Sequence, residues 1–152
     1  MFAEPGDSSA LKVSDLVTRP LITVASDESV LEACRRMVQN NIGLLVVCDR
    51  EDDTKLVGVI SERDIIRSIA SGETLPDRVD AISTKTVVTI DGNLDVAEAA
   101  KLMNKHRIRH VVVVDDRKTP KAVVSMRDLV GERATLKGIL QSHETEIFVG
   151  AD

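Results

Sequence analysis

The chain has 152 residues, a net charge of −5, 43% hydrophobic residues and 1% aromatic residues. This length suits one domain or two closely packed half-domains, and the core must be aliphatic. The acidic balance argues against non-specific nucleic-acid binding, which needs Lys and Arg to neutralise phosphates. We find no signal peptide and no apolar run of about 18 residues, so we expect a cytoplasmic protein without membrane insertion. Cys34 and Cys48 lie in apolar stretches and are predicted to be buried thiols.

Taken in chain order, the first half predicts the element order β-α-β-β-α. Apolar residues recur at helical spacing after a capping segment, and short β-branched runs predict buried strands. The predicted elements are a helical turn (13–17), an extended segment (21–24), a helix with Val30, Ala33, Cys34 and Met37 on its apolar face, two strands (44–48 and 56–60) and a second helix (62–70).

The second half repeats the first. Residues 13–49 align with residues 79–115 without a gap, and after a two-residue deletion residues 59–64 align with residues 123–128. The predicted elements are a helical turn (79–83), an extended segment (87–90), a helix with Val96, Ala99, Ala100 and Met103, two strands (111–114 and 122–124) and a helix from residue 126. This duplication predicts one pseudosymmetric domain with two related clefts between its halves, joined by a linker at 71–77.

The same polar motif, S-x-x-D, follows the last strand of each half. Ser61 and Asp64 form one copy, and Ser125 and Asp128 form the other. A Ser at the start of a helix is a good N-cap, and free N–H groups there attract phosphate. The Asp lies one helical turn later and faces the same way as the Ser. Capping alone is the alternative interpretation of each motif, and it remains open.

The repeated unit resembles the cystathionine-β-synthase (CBS) domain, and the pair resembles a Bateman module. The runs GVISERD (58–64) and AVVSMRD (122–128) carry the resemblance, together with the strands NIGLLVV (41–47) and RIRHVVV (107–113). The resemblance implies an α/β (α+β) fold in which two β-α-β-β-α units pack with pseudo-two-fold symmetry. The expected boundaries are 11–70 for the first unit, 77–131 for the second and 132–152 for a C-terminal helix or tail.

The resemblance also implies two ligand clefts, each with the S-x-x-D motif of one unit and a strand of the other. The first cleft would use Ser125, Arg127 and Asp128 with Thr18, Leu21, Thr23, Ile42, Gly43 and His110. The second would use Ser61, Arg63 and Asp64 with Thr84, Val87, Thr89, Ile108 and Arg109. The two units differ before the motif, where Gly58 corresponds to Ala122, and a methyl group there is expected to narrow the Asp128 cleft.

Other patterns give weaker signals. His106 and His110 are spaced for a metal, but no carboxylate or thiol nearby completes a site. The acidic segment 49–53 lacks the Gly and the terminal Glu of an EF-hand and is predicted to be a solvated turn. The basic segment 106–110 is too short, in an acidic chain, to favour nucleic acid.

The resemblance implies a regulatory module that binds an adenine nucleotide, AMP first and ADP or ATP next, and signals to a separate effector protein. It also implies a homodimer formed through the helices. A ligand-free docking or dimerisation module, or a sensor of S-adenosylmethionine or NAD(H), remains an alternative. The sequence contains no P-loop, zinc spacing or nucleophile–base pair, so we expect no enzyme, no required cofactor and no metal.

Overall fold

The computed structural model describes residues 11–72 and 74–131. The predicted tail at 132–152 therefore lies outside the described residues. The first unit contains β1 (Thr23–Ala25), α1 (Val30–Asn40), β2 (Leu44–Cys48), β3 (Leu56–Ser61) and α2 (Glu62–Ala70). The second contains β4 (Thr89–Asp91), α3 (Val96–His106), β5 (His110–Val114), β6 (Pro120–Ser125) and α4 (Met126–Gly131). Short 3₁₀ helices at Val13–Leu16 and Val79–Ala81 precede the two units. The predicted α+β fold of two tandem units is confirmed.

Each unit is a three-stranded sheet with the order β1-β2-β3 or β4-β5-β6. The first two strands are parallel and the last two are antiparallel, which is the arrangement that a helical crossover followed by a hairpin produces. Side chains on opposite faces of β2 have different neighbours, because successive residues of a strand alternate. Leu45 and Val47 pack against α1, whereas Val46 and Cys48 pack against the other sheet.

Local sequence explains where the long helices begin and end. The Ser29 hydroxyl accepts a hydrogen bond from the Glu32 amide at 3.0 Å, which satisfies a free N–H group at the start of α1. Asn41 ends α1 with φ of 51°, and Arg107 ends α3 with φ of 54°. Both residues lie in the left-handed region, so each helix stops at the same point before its buried strand.

The inter-sheet core is aliphatic. Val46, Cys48, Val112 and Val114 form a buried cluster between the two sheets. Leu21 and Val87 pack against its margin. This contact fixes the two halves face to face.

The two 3₁₀ helices are exchanged between the halves. Val13 is fully buried in the core of the second unit, and its amide donates to the Leu94 carbonyl at 2.9 Å. Val79 is fully buried in the core of the first unit, and its amide donates to the Glu28 carbonyl at 2.9 Å. Each half therefore completes the core of the other.

Several details differ from the sequence-based predictions. The extended segments form strands only from Thr23 and Thr89, where parallel pairing with Val46 and Val112 begins. β6 begins at Pro120, an edge position that needs no N–H donor. Cys34 is only partly buried and Ala100 is exposed, because both lie at the border of the helix face that contacts the core.

The apolar helix faces that carry Val30, Met37, Val96 and Met103 belong to the cores within the chain. Val30, Met37 and Met103 lie in the cores of their own units, with 1–4% of their surfaces exposed, and Val96 packs against the same core. These side chains are not available to a second chain. The exposed apolar residues of the first unit's helices are instead Leu31, Val38, Ile66 and Ile69.

Candidate ligand clefts

Asp64 occupies the first turn of α2, where a reciprocal cap holds its carboxylate. Its Oδ2 accepts a hydrogen bond from the Ser61 amide at 2.9 Å, and its own amide donates to Ser61 Oγ at 3.1 Å. Its Oδ1 accepts a 3.4 Å hydrogen bond from the hydroxyl of Thr84, which belongs to the other unit. The cap therefore fixes the carboxylate and directs its second oxygen towards the opposite unit.

The backbone of Thr84 also contacts the first unit. Its carbonyl accepts from the Val59 amide at 2.9 Å, and its amide donates to the Val59 carbonyl at 2.8 Å. Gly58 permits this approach: a Cβ at that position would lie 2.8 Å from the Thr84 carbonyl oxygen, which is too short for any real contact. Among the predicted residues of this cleft, the structure brings Ser61, Asp64 and Thr84 together.

An open cavity of about 380 Å³ extends from Asp64 along α2. This volume lies within the usual range of small-molecule sites, about 300–1,000 Å³. The cavity is lined by Asp64, Arg67, Ser68, Ser71, Ile82 and Thr84. The sequence analysis missed Arg67, Ser68, Ser71 and Ile82; positions 67, 68 and 71 share a helical face with Asp64, and that spacing was the available signal.

Asp128 has a similar cap at the start of α4. Its Oδ2 accepts from the Ser125 amide at 2.7 Å and from Ser125 Oγ at 3.0 Å, and its amide is 3.3 Å from the same hydroxyl. All these contacts use Oδ2 or the amide. Within residues 11–72 and 74–131, the second oxygen, Oδ1, has no hydrogen-bond partner, so it is available to a ligand.

His110 lies opposite Ser125 in the β5–β6 ladder. It shares its sheet face with Val112, so its ring is on the side of the other unit. Burial lowers the pKa of His110 below its usual value, and the nearby Arg109 charge adds to this effect. The carboxylates of Asp128 and Glu62 oppose the shift. His110 therefore favours the neutral form, with carboxylates of both units close to it.

The remaining predicted residues of the strands lie on two different sides of their sheets. Leu21 and Val87 border the inter-sheet core, and Thr23 and Thr89 pair with Val46 and Val112 on that same side. By contrast, Ile42 and Ile108 pack against the helix-side core of their own units. Any contribution of these two residues to a ligand would therefore involve the backbone more than the side chain.

Gly43 and Arg109 contribute backbone carbonyls next to the motifs. The Gly43 carbonyl accepts from the Glu62 amide at 3.0 Å, and the Arg109 carbonyl accepts from the Met126 amide at 2.8 Å. Thr18, Arg63 and Arg127 are exposed. The described residues provide no ion-pair partner within 4.0 Å for the guanidinium groups of Arg63, Arg67, Arg109 and Arg127. These cations remain free to meet an anionic ligand.

Within the described part of the chain, no cluster of three or more His, Cys, Asp or Glu residues has a geometry that suits a metal ion. In the same residues, no helix is both long and apolar enough to cross a membrane.

The repeated units and their shared clefts define a class of duplicated α+β modules. The chain belongs to the CBS-domain family, whose sequence profile matches residues 13–71 and again residues 79–134. The resemblance seen in the sequence is thereby confirmed.

Curated relatives include uncharacterized proteins and enzymes. An uncharacterized protein of Methanopyrus kandleri is 31% identical over 80% of this chain and 62% of its own length. The inosine-5′-monophosphate dehydrogenase of Methanocaldococcus jannaschii is 34% identical over 80% of this chain, but the match covers only 23% of that enzyme. The chain therefore spans less than two thirds of either relative.

Solved structures of similar proteins contain adenosyl ligands. A CBS-domain protein from Pyrobaculum aerophilum complexed with AMP is 33% identical, with a TM-score of 0.79 over 86% of this chain and 99% of that one. The CBS domain pair of protein MJ0100, complexed with 5′-methylthioadenosine and S-adenosyl-L-methionine, is 31% identical, with a TM-score of 0.72 over 79% of this chain and 97% of that one.

Proposed function

We propose that this protein is a non-enzymatic regulatory module that binds an adenine nucleotide, AMP before ADP or ATP, in the clefts between its two units. The observation that carries this proposal is the position of the two motif carboxylates. Each is held by a cap on one oxygen; the second oxygen of Asp64 contacts Thr84 of the other unit, and that of Asp128 has no hydrogen-bond partner among the described residues. A pair of ribose hydroxyls is a suitable donor for such an oxygen.

The surroundings of the carboxylates suit the other parts of a nucleotide. Leu21 and Val87 are partly buried at the margin of the inter-sheet core and offer apolar surface against which a base can pack. Free guanidinium groups are present near both motifs, and Arg–phosphate hydrogen bonds are strong because both groups are charged. Because the AMP-bound relative matches this chain closely in fold, AMP is the first candidate, and S-adenosylmethionine and NAD(H) are alternatives.

Binding would act as a signal if the ligand favours one arrangement of the two units. Each cleft contains residues of both units, as the Thr84–Asp64 contact illustrates. A ligand in the cleft therefore has different contacts when the units shift, and only such differential affinity can move a conformational equilibrium. We propose that an effector protein, or a second copy of this chain, detects the shift.

A homodimer is proposed on revised grounds. Leu31 and Val38 expose 58% and 81% of their surfaces on α1, and Ile66 and Ile69 expose 65% and 59% on α2. These are the four most exposed of the large apolar side chains in the described residues, and exposed apolar surface of this kind suits an interaction with a second chain. Sedimentation of the wild type and of Val38→Glu would test it, because a dimer through this face would dissociate in the variant.

The alternative function is docking without a ligand. The capping hydrogen bonds alone give Ser61, Asp64, Ser125 and Asp128 a structural role. This alternative predicts that the protein is folded and indifferent to nucleotides.

Isothermal titration of AMP, ATP, NADH and S-adenosylmethionine into protein that has been unfolded, stripped and refolded tests the proposal. We expect AMP to bind with micromolar affinity, and a ligand at 100 times its Kd to stabilise the fold by about 2.7 kcal/mol. Circular dichroism confirms refolding. If a folded protein gives no heat and no thermal shift with any of the four ligands, the docking role replaces this proposal.

A further inference from the structure

The outer edges of the two sheets differ in their hydrogen bonding. β3 and β6 are the edge strands of their sheets, so every second residue directs its N–H and C=O away from the ladder. On β3, Val59 is such a residue, and both of its groups are bonded to Thr84 at 2.9 and 2.8 Å. The edge of the first sheet is therefore covered at this point by the second unit.

Val123 is the equivalent residue on β6. It pairs with Val112 as Val59 pairs with Val46, and the Met126–Arg109 hydrogen bond repeats the Glu62–Gly43 bond. Hydrogen-bonded and non-hydrogen-bonded residue pairs therefore alternate at corresponding positions of the two ladders. The N–H and C=O of Val123, like those of Val59, point away from the ladder. No residue in the described part of the chain bonds to these two groups. The edge of the second sheet is therefore free at the corresponding point.

The difference has a cause in the sequence. The Thr84 carbonyl approaches Gly58 so closely that a Cβ there would lie 2.8 Å from its oxygen. The corresponding residue of the second unit is Ala122, whose methyl group is buried. Thr18, the counterpart of Thr84, cannot take the same position against β6, because that methyl group occupies the space. One methyl group thus keeps the edge open at Val123.

Thr84 occupies the polar groups that a nucleoside would need in the first unit. Its backbone uses the N–H and C=O of Val59, and its hydroxyl uses Asp64 Oδ1. In the second unit, the equivalent groups are the N–H and C=O of Val123 and the Oδ1 of Asp128, and all three are free within the described residues. Val123 precedes Ser125 by two residues, about 7 Å along the strand.

Resting on the proposed function, we infer that the two clefts are unequal and that the nucleotide binds in the Asp128 cleft, with its base on the free edge of β6 at Val123. A 6-aminopurine suits this edge, because its amino group donates to the Val123 carbonyl and its N1 accepts from the Val123 amide. The ribose hydroxyls donate to Asp128 Oδ1. The Asp64 cleft, including the cavity along α2, lacks a free strand edge and is occupied more weakly.

A matched pair of variants tests the choice of cleft. Asp128→Asn and Asp64→Asn both keep an oxygen that can cap the helix, and each removes one carboxylate. In AMP titrations, we expect one tight site per chain in the wild type, a loss of affinity of at least about tenfold in Asp128→Asn and a smaller change in Asp64→Asn. Tight binding that survives Asp128→Asn and disappears in Asp64→Asn contradicts the inference while leaving the proposed function intact. Absence of binding by the folded wild type contradicts both.

The edge itself is tested by the exchange of one methyl group. Ala122→Gly lets Thr18 approach Val123, and we expect weaker AMP binding; Gly58→Ala displaces Thr84 from Val59, and we expect a second site to appear. Purine riboside 5′-monophosphate, which lacks the 6-amino donor, should bind about tenfold more weakly than AMP. Equal affinities for the two nucleotides would contradict the base contact with Val123.

Hydrogen exchange of the ligand-free wild type gives a test that needs no variant. The amides of Val59 and Thr84 should exchange slowly, because each donates a hydrogen bond, and the amide of Val123 should exchange fast. AMP should then protect Val123 selectively. Slow exchange at Val123 without nucleotide would show that the edge is already covered and would overturn the inference.

Discussion

The two units have nearly the same architecture, yet different side chains lie between the first helix and the first strand of each unit. In the first unit, Arg36 bonds to Glu28 at 2.6 Å, to Glu32 at 3.1 Å and to the Thr23 carbonyl at 2.8 Å, and so connects α1 to β1. The counterparts of Arg36 and Glu28 in the second unit are Leu102 and Leu94. A charged cluster in one copy thus corresponds to two leucines in the other. The comparison teaches that the fold depends on the backbone pattern, and that the chemistry of a given position is free to diverge.

Divergence has greater consequences at the clefts. Beside Gly58, Thr84 covers the strand edge, whereas the edge beside Ala122 has no partner among residues 11–72 and 74–131. A change of Leu44 to His110 places a titratable ring beside Asp128. Duplicated units that began alike therefore no longer offer the same site to a ligand.

The largest loss of stability is expected at Val13 and Val79, the valines that each pack into the core of the opposite unit. Val79→Asp and Val13→Asp each place a carboxylate in a fully buried position of the opposite unit's core. Each should lower the free energy of unfolding by about 4 kcal/mol. Urea denaturation followed by circular dichroism measures it, with the exposed Ala97→Asp as a control that changes it by less than about 0.5 kcal/mol.

The shape of the urea unfolding curves of these two variants shows whether the two units unfold together. If the exchanged helices couple the units, both variants unfold in one cooperative transition at lower urea concentration. A second transition, with half of the signal retained at the wild-type midpoint, would show that the units are independent.

The next effect concerns the position before the motif. Gly58→Ala should cost about 1–3 kcal/mol, because its methyl group forces Thr84 away from Val59 and leaves two backbone groups unbonded. Ala122→Gly should cost about 1 kcal/mol through chain entropy and a lost methyl contact. Thermal unfolding measures both. Equal costs would mean that Thr84 makes no special contact with the first unit.

A smaller effect is expected at the charged cluster. Arg36→Leu should cost about 1–2 kcal/mol by leaving Glu28 unpaired, whereas the double change Arg36→Leu and Glu28→Leu, which installs the pair found in the second unit, should be close to neutral. A double-mutant cycle by urea denaturation tests this. Equal losses in the single and double variants would show that the ion pair cannot be exchanged for leucines.

The Arg36–Glu28 pair also predicts that the free energy of unfolding depends on pH. The hydrogen bond from Arg36 lowers the pKa of Glu28 below its usual value. The unfolded chain then binds a proton at higher pH than the folded one, so the stabilisation is complete above about pH 5 and is lost as the pH falls through the folded pKa. Unfolding of the wild type between pH 6 and pH 3, compared with the double variant, should show a smaller acid loss in the variant.

The smallest effect is expected at His110. Because burial lowers its pKa, the unfolded chain binds the proton first, and stability decreases as the pH falls below about 6.5. His110→Leu installs the residue of the first unit and should remove this part of the pH dependence. An NMR titration of the ring that gives an ordinary or raised pKa would contradict the assignment.

Much of the fold could be predicted from the repeat, because helical spacing and β-branched runs occur twice at corresponding places. The caps of Ser61 and Ser125 were also predicted, since S-x-x-D is a local pattern. The exchange of the 3₁₀ helices was not predicted. Val13 and Val79 have similar neighbours in sequence, so the sequence does not show which of the two cores each valine enters. The structure shows that each enters the core of the opposite unit.

The clefts were predicted less completely. The difference between Gly58 and Ala122 is visible in the sequence, and a narrower Asp128 cleft stays a prediction; the close approach of Thr84 on the glycine side is not visible in the sequence. That approach depends on the distance between two units, which no local pattern encodes. Arg67 was missed because its relation to Asp64 matters only once Ile82 of the other unit lies beside it.

The exchanged 3₁₀ helices also impose an order on the synthesis of the molecule. Val13 leaves the ribosome early, but the surface that it covers, around Ile90 and Met103, is made much later. The first unit waits in turn for Val79, which lies beyond its own last helix. Chains generally begin to fold domain by domain from the amino end as they emerge. Here the first half is incomplete when its own strands and helices have been made, and its core closes only once Val79 has been added, whereas Val13 is already present when the second half is made.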